Sequence, residues 1–336
     1  MMLLSSIIQT FEAEFLATNK SVLPSQLKAL SALKQCRTTQ SPVMMAQCDG
    51  CDKQVFIPHS CGHRLLSAPA FAALVRPEHR NCPHCQHHES QQWLDRQLNK
   101  QVPAEYFMLT FTLPEELRPL AWQHQRTLYD LMIRCSWETL PSASLRTGKT
   151  FVQNDPQLQG QAGAISVLHT QSRRLDYHPH VHVVMPAAAI DADKRQWHTK
   201  TSKNDKSYLF NHKALAKVFR AKLLSGIVEA GLELPACYPK TWVVDVKSVG
   251  SGDKALVYLG RYLYKGVIQE KDIIACKDGL VTFRYQDGKT KQMQTRTLPG
   301  AQFLGLILRH VLPKGFRRTR NFGFLHANSK KLLALL

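Results

Sequence analysis

Residues 178–186 read HPHVHVVMP, in which His178, His180 and His182 alternate with Pro179 and Val181. Side chains two apart on a strand share a face, so this order puts the imidazoles on one side and the valines in a core. Imidazoles converging on one rigid strand make a divalent-metal or phosphate site. Idle histidines on an edge strand are the bland alternative, and one polar residue type alternating with buried Val argues against it. His169, in SVLHT of the preceding stretch AGAISVLHTQ, has two open readings, an additional ligand or a packed structural histidine. The polar segment QSRRLDY between the two stretches predicts a hairpin.

Other segments extend the pattern. IIQTFEAEFL and LPSQLKALSALKQC predict N-terminal helices, FMLTFTLP a strand ended by Pro114, and KALAKVFRAKLLSGIVEAGL an amphipathic helix. WVVDVKSVG reads as a strand, DKALVYLGRYLYKGV as a helix, and VTFRYQDGKTKQMQTRTL as a hairpin turning at Asp287-Gly288. Helices interspersed with hairpins predict an α+β fold with a mainly antiparallel sheet flanked by helices. The expected divisions are an N-terminal helical segment (1–45), a metal-binding module (46–95), a main domain (96–270), and a C-terminal hairpin with a basic tail (271–336).

The module is dense in metal-ligand residues. Cys48-x2-Cys51 and Cys82-x2-Cys85 supply four thiolates, the number a structural tetrahedral zinc takes. His59, Cys61 and His63 in HSCGH lie between the knuckles and can replace a cysteine or form a second site. A closed cysteine-rich site staples a small subdomain, and that is the role expected of this zinc.

In YLGRYLYKG, residues 258–266, Tyr258 and Tyr262 are four apart and Lys265 follows three residues later. On a helix this places the two phenols one turn apart on one face, with the ammonium nearby, while Tyr264 points elsewhere. An amphipathic helix packing its rings is the plainer reading of Tyr-x3-Tyr alone. A phenol of pKa ~10 attacks phosphorus at neutral pH only with a cation or base to assist it. A divalent magnesium or manganese ion on the histidines would polarise a phosphate, and Lys265 would stabilise the phenolate or the phosphate.

These residues carry a resemblance. The run His-x-His-x-His resembles the histidine-triad nucleotide hydrolases, whereas the inner pair His180 and His182 resembles the metal site of HUH endonucleases. YLGRYLYK resembles the Tyr-x3-Tyr-x2-Lys of two-tyrosine rolling-circle nucleases. Together with FMLTFTLP, VLHT and FLGLILRHVLPKGFRRTRNFGFL, the set resembles the insertion-sequence-91 family of rolling-circle transposases from Cys48 onward. The resemblance implies a zinc-binding region followed by an HUH nuclease domain. It further implies cleavage of one DNA strand to a 5′-phosphotyrosine and a free 3′-hydroxyl, then rejoining elsewhere. One departure is the stretch between Cys61 and Cys82, which splits HSCGHR from EHRNCPHCQ.

The partner expected is single-stranded DNA carrying hairpins at the element ends. The chain has 44 Lys+Arg against 25 Asp+Glu, a formal net charge of +19, which favours a polyanion. Arg261 and the tail residues Lys314, Arg317, Arg318 and Arg320 are the cations expected on DNA, with Phe316, Phe322 and Phe324 as either stacking platforms or core rings. No apolar run reaches the ~20 residues of a membrane span, and no basic leader precedes Glu12 and Glu14. A bacterial cytoplasmic protein, nucleoid-associated when bound to DNA, is the expectation. A replication initiator of the same chemistry, a histidine-triad hydrolase and a zinc-module DNA-binding regulator are the rival readings.

Overall fold

The computed structural model describes residues 3–36, 38, 43–47, 50–51, 53–58, 87–140, 158, 160–191, 193, 195–200, 210–264, 267–288 and 290–329. The first half forms α1 (Leu4–Thr18), α2 (Pro24–Gln35), β1 (Val43–Gln47), β2 (Gln54–Pro58), α3 (His87–Leu98), β3 (Tyr106–Thr112), α4 (Arg118–Gln123) and α5 (Gln125–Thr139). Then come β4 (Gln161–Gln171), β5 (Tyr177–Pro186), β6 (Ala188–Asp191), β7 (Gln196–Thr199), α6 (His212–Glu229), β8 (Val244–Ser248) and α7 (Asp253–Tyr264). β9 (Ile273–Lys277), β10 (Leu280–Gln286), β11 (Met293–Pro299), α8 (Gly300–Leu308) and β12 (Thr319–Gly323) follow. The chain divides into two compact units, each discontinuous in sequence: Met1–Ser90, Gln171–Tyr177 and Tyr264–Gly315 in one, Gln91–Thr170, His178–Leu263 and Phe316–Leu336 in the other.

The second unit is built on a seven-stranded sheet in the order β7-β6-β4-β5-β3-β8, with β12 paired to β4. The pairs β3·β5, β3·β8, β4·β6, β6·β7 and β4·β12 are all antiparallel. Strand alternation sorts the two faces. On β3, Phe107, Leu109 and Phe111 are buried, and Leu109 and Phe111 lie opposite Val183 and Val181 of β5. Directly opposed residues share a face, so these four side chains form one apolar surface. Phe111 meets Phe219 of α6 at 4.9 Å between ring centroids, and Phe219 meets Trp242 at 5.7 Å. α6 is started by Asn211, whose side chain accepts from the amides of Lys213 and Ala214, satisfying donors that a helix start leaves without partners.

The other face carries Thr110 opposite His182 and Thr112 opposite His180. The approach of α7 is fixed at its N-terminal end. Tyr106 donates its amide to the Gly250 carbonyl at 2.7 Å and accepts from the Val249 amide at 2.8 Å. Gly252 then adopts φ +89°, and a Cβ there would stand 2.6 Å from Cγ of Tyr106. Glycine is required twice over, by the dihedral and by the space. Beyond this turn, α7 buries Leu256, Leu259 and Leu263.

In the other unit, β9, β10 and β11 form an antiparallel sheet with β10 in the centre. Its buried side chains, including Val281, Phe283 and Leu298, join a core with Ile7, Ile8, Phe11 and Phe15 of α1, Leu30 of α2, and Phe303 and Leu304 of α8. Two polar bonds tie distant sequence together. The buried Glu270 carboxylate accepts the Leu4 amide at 2.8 Å, and Gln26 donates from Nε2 to the Leu308 carbonyl at 3.0 Å. Glu270 thus satisfies an orphan donor at the start of α1 and opposes its dipole, a combination worth about 1 kcal/mol. Within the same unit, Arg296 donates to the Asp176 carboxylate at 2.8 Å and His310 donates from Nε2 to the Leu175 carbonyl at 3.0 Å. β1 and β2 pair as an antiparallel hairpin with Val43, Met45, Val55 and Phe56 exposed.

Among the described residues, no helix is long and apolar enough to cross a membrane.

Candidate active site

Three imidazoles from two neighbouring strands converge on the second face of the large sheet. One ligand nitrogen each from His169 of β4 and His180 and His182 of β5 can be chosen so that all lie within 4.8 Å of one another. The ring centroids of His169 lie 5.3 Å from His180 and 4.6 Å from His182, and those of His180 and His182 are 4.9 Å apart. His178 lies outside this group of three, and its Nδ1 receives a hydrogen bond from Arg118 at 2.9 Å.

The hydrogen bonds around the cluster orient its rings. His180 Nδ1 lies 2.7 Å from the His178 carbonyl, so Nδ1 carries the proton and Nε2 keeps its lone pair. His182 Nδ1 lies 3.0 Å from Thr110 Oγ1, the cross-strand neighbour. Such outer partners commonly fix the orientation of metal-ligating histidines.

Electrostatics keeps the imidazoles neutral. Burial pushes His180 down to about 4 and His182 down to about 3, with neighbouring histidine charge adding to both. His169 is held well below the ordinary histidine value by burial first, then by His182, His180 and Arg318. Neutral imidazole is the metal-binding form, so donor type, spacing and protonation all fit a divalent cation at His169, His180 and His182.

Tyr258 stands over this cluster from α7. Its ring centroid lies 6.4 Å from that of His169 and 6.2 Å from that of His182. The tyrosine is 37% exposed while His169 and His182 are buried, so the phenol lies on the solvent side of these two rings. Tyr262 is one turn further along α7, and the side chains of Arg261, Tyr262 and Tyr264 are outside the described ones, as is Lys265 entirely. Of the expected zinc ligands, Cys51 is described and exposed. Cys48, His59, Cys61, His63, Cys82 and Cys85 lie outside the described residues.

The basic tail is woven into the fold. Thr319–Gly323 is strand β12, paired with β4 from Val167 to Gly163. Phe316 is buried against Tyr129 at 5.6 Å, Phe322 stacks on Trp137 at 5.0 Å and 8°, and Phe324 meets Trp197 at 5.8 Å. These rings are core and sheet-packing residues. Arg320 is paired with Asp130, and Arg318 is half-buried, donating to the Leu263 carbonyl at 3.5 Å. Lys314 and Arg317 are exposed.

Two site residues escape sequence reasoning, Thr110 and Arg118. Thr110 is signalled by the alternation of FMLTFT, which puts it on the face away from Phe111. Arg118 has no periodic signal, since it follows the turn after Pro114.

Two family models match the chain. One, described as "Putative transposase", matches residues 163–332, and the other, "Transposase zinc-binding domain", matches residues 7–66 and 73–113. Among curated relatives, "Putative transposase y4qJ" of Sinorhizobium fredii is 28% identical over 344 residues, covering 96% of this chain and 79% of the relative. The "Transposase for insertion sequence element IS801" of Pseudomonas savastanoi pv. phaseolicola is 29% identical over 285 residues, covering 80% of this chain and 65% of the relative. Among solved structures, the conjugative relaxase TrwC in complex with mutant OriT DNA aligns over 41% of this chain and 49% of its own. That alignment has 20% identity and a TM-score of 0.28, too slight to bear on the argument.

Proposed function

The chain belongs to the insertion-sequence-91 family of transposases, and from that premise we propose that it moves DNA by cutting and rejoining single strands through 5′-phosphotyrosine intermediates. The observation that carries this reading is the Tyr258 ring, within 6.4 Å of His169 and His182, the two buried members of the three-histidine cluster. A half-exposed phenol beside neutral imidazoles supports a role in attack on a phosphodiester.

In this reading His169, His180 and His182 hold magnesium or manganese, and the ion when bound withdraws charge from the scissile phosphate. The Tyr258 oxygen, having lost its proton to solvent, forms a bond to phosphorus. The P–O3′ bond breaks, the 5′ side stays on the tyrosine, and the 3′ oxygen takes up a proton. The reverse attack by another 3′-hydroxyl releases the tyrosine and joins the strands. Tyr262 is the second nucleophile, so that one phenol holds a cleaved end while the other cuts. Lys265 supplies charge to the phenolate. Arg261, Lys314, Arg317, Arg318 and Arg320 are assigned to the DNA backbone, and His178 to the margin of the metal site. The zinc-binding domain draws on Cys48, Cys51, Cys61, Cys82, Cys85, His59 and His63. Hairpin-bearing element ends are the substrate, met in the bacterial cytoplasm at the nucleoid.

The test is incubation with labelled single-stranded oligonucleotides and magnesium or manganese, then denaturing electrophoresis and mass spectrometry of the DNA-linked peptide. A covalent adduct on Tyr258 or Tyr262, lost in the Tyr258→Phe, Tyr262→Phe double variant, is the expected result. Adducts that survive in that variant, or an acid-labile adduct on histidine as a histidine-triad hydrolase would give, overturn the reading. A replication initiator shares the chemistry and differs in copying the donor DNA where it stands.

A further inference from the structure

Arg118 opens α4 just after the turn that ends β3, and its guanidinium donates to Nδ1 of His178 at 2.9 Å. A guanidinium is always protonated and offers only donors, so the direction of this bond is fixed. His178 receives it and holds the cation beside the cluster, its ring centroid 5.3 Å from that of His180. Among the described residues the carboxylate paired with Arg118 is Glu115, at 4.0 Å with its side chain 83% exposed. A contact so long and so wet neutralises little of the charge.

A second observation concerns the inner nitrogen. The Nε–H of Arg118 is buried and has no hydrogen-bond partner among the described residues. A buried donor left unsatisfied is costly, a cost that packing alone does not offset. The side chain as a whole remains 23% exposed, so an anion arriving at the cluster can reach the outer edge of the guanidinium.

We propose that Arg118, held by His178, is a phosphate-binding residue of the site, taking the non-bridging oxygens of a phosphodiester in the DNA strand that crosses the three histidines. This deepens the DNA-cutting reading and rests on it for the identity of the ligand. The planar fork matches two phosphate oxygens at once, which an ammonium does not. Arg118 is not itself a metal ligand, so its loss should not weaken metal binding.

The experiment is a fluorescence titration of a single-stranded oligonucleotide into the full chain, without added magnesium or manganese, over a series of salt concentrations. Each phosphate neutralised on a single strand contributes about −0.7 to the slope of log K against log salt. Arg118→Ala is expected to weaken binding roughly tenfold at low salt and to make the slope shallower by about 0.7. Arg118→Lys should keep the slope while losing part of the affinity. Arg118→Gln, close in length and neutral, carries the same expectation as alanine and decides the matter where alanine does not fold. Manganese affinity should be no weaker than wild type in every folded variant. An unchanged slope in Arg118→Ala or Arg118→Gln, or no strand binding by wild type, overturns the inference. If the slope changes but wild type forms no covalent adduct, the tyrosine mechanism fails and this site stands. Adduct formation with an unchanged slope has the opposite meaning.

Discussion

Thr110 and His182 face each other across the β3·β5 ladder, with the threonine hydroxyl 3.0 Å from Nδ1 of the histidine. The strand register itself supplies this contact, so the ring of one prospective metal ligand is oriented by the residue opposite it. Thr110→Val keeps the shape and removes the hydroxyl. Manganese affinity is expected to fall about 10-fold or more, read by calorimetry, with Thr110→Ser close to wild type. An unchanged affinity in the valine variant means the contact orients nothing.

His169 separates a three-ligand site from a two-ligand one. Manganese at a hundredfold excess over its Kd stabilises a folded protein by about 2.7 kcal/mol. A rise in thermal midpoint on adding manganese is expected in wild type and should vanish in His169→Ala. A full rise in that variant would reassign His169 to packing. Removing the metal ion from wild type should likewise abolish covalent adduct formation while leaving strand binding.

Gly252 combines φ +89° with the closest approach to Tyr106. Gly252→Ala must strain the backbone and displace a buried ring, costing about 2 kcal/mol or more. A denaturant midpoint equal to wild type would refute the account of how α7 is anchored.

Tyr106 predicts the alkaline limit of stability. Burial pushes its phenol up to about 12, with Asp253 adding to the rise and the bond from the Val102 amide opposing it. The folded value lies above the unfolded value of ~10, so the unfolded chain releases its proton first as pH rises. The stabilisation is complete below pH ~10 and is lost as pH rises toward about 12. Denaturation followed from pH 8 to 12 should show this decline, and Tyr106→Phe should flatten it. A decline as steep in the phenylalanine variant would assign the effect to other groups.

Much of the site is legible in the sequence because strands and helices have fixed periods. The alternation of HPHVHVV puts His180 and His182 on one face, and the spacing of Tyr258 in DKALVYLGRYLYKG puts it on an exposed stripe beside buried Leu256, Leu259 and Leu263. Sequence leaves His169 open between two roles, because only strand pairing brings it to the other two. Arg118 is illegible for a similar reason, since its partner lies 60 residues away. The shared core of α1, α2, α8 and β9–β11 is likewise hidden, because Leu4 and Glu270 meet across 266 residues. Phe316, Phe322 and Phe324 show the limit of composition. Rings among arginines suit stacked bases or a core equally well, and their neighbours Tyr129, Trp137 and Trp197 decide for packing.

The pairing of β12 with β4 sets an order of events during synthesis. Until residues 319–323 leave the ribosome, the edge of β4 from Gly163 to Val167, two residues short of His169, has no strand along it. A message broken before that point yields a chain with a raw sheet edge, prone to join other chains instead of finishing the sheet that carries the three histidines. Truncated copies of such a mobile element are therefore expected to be silent by construction.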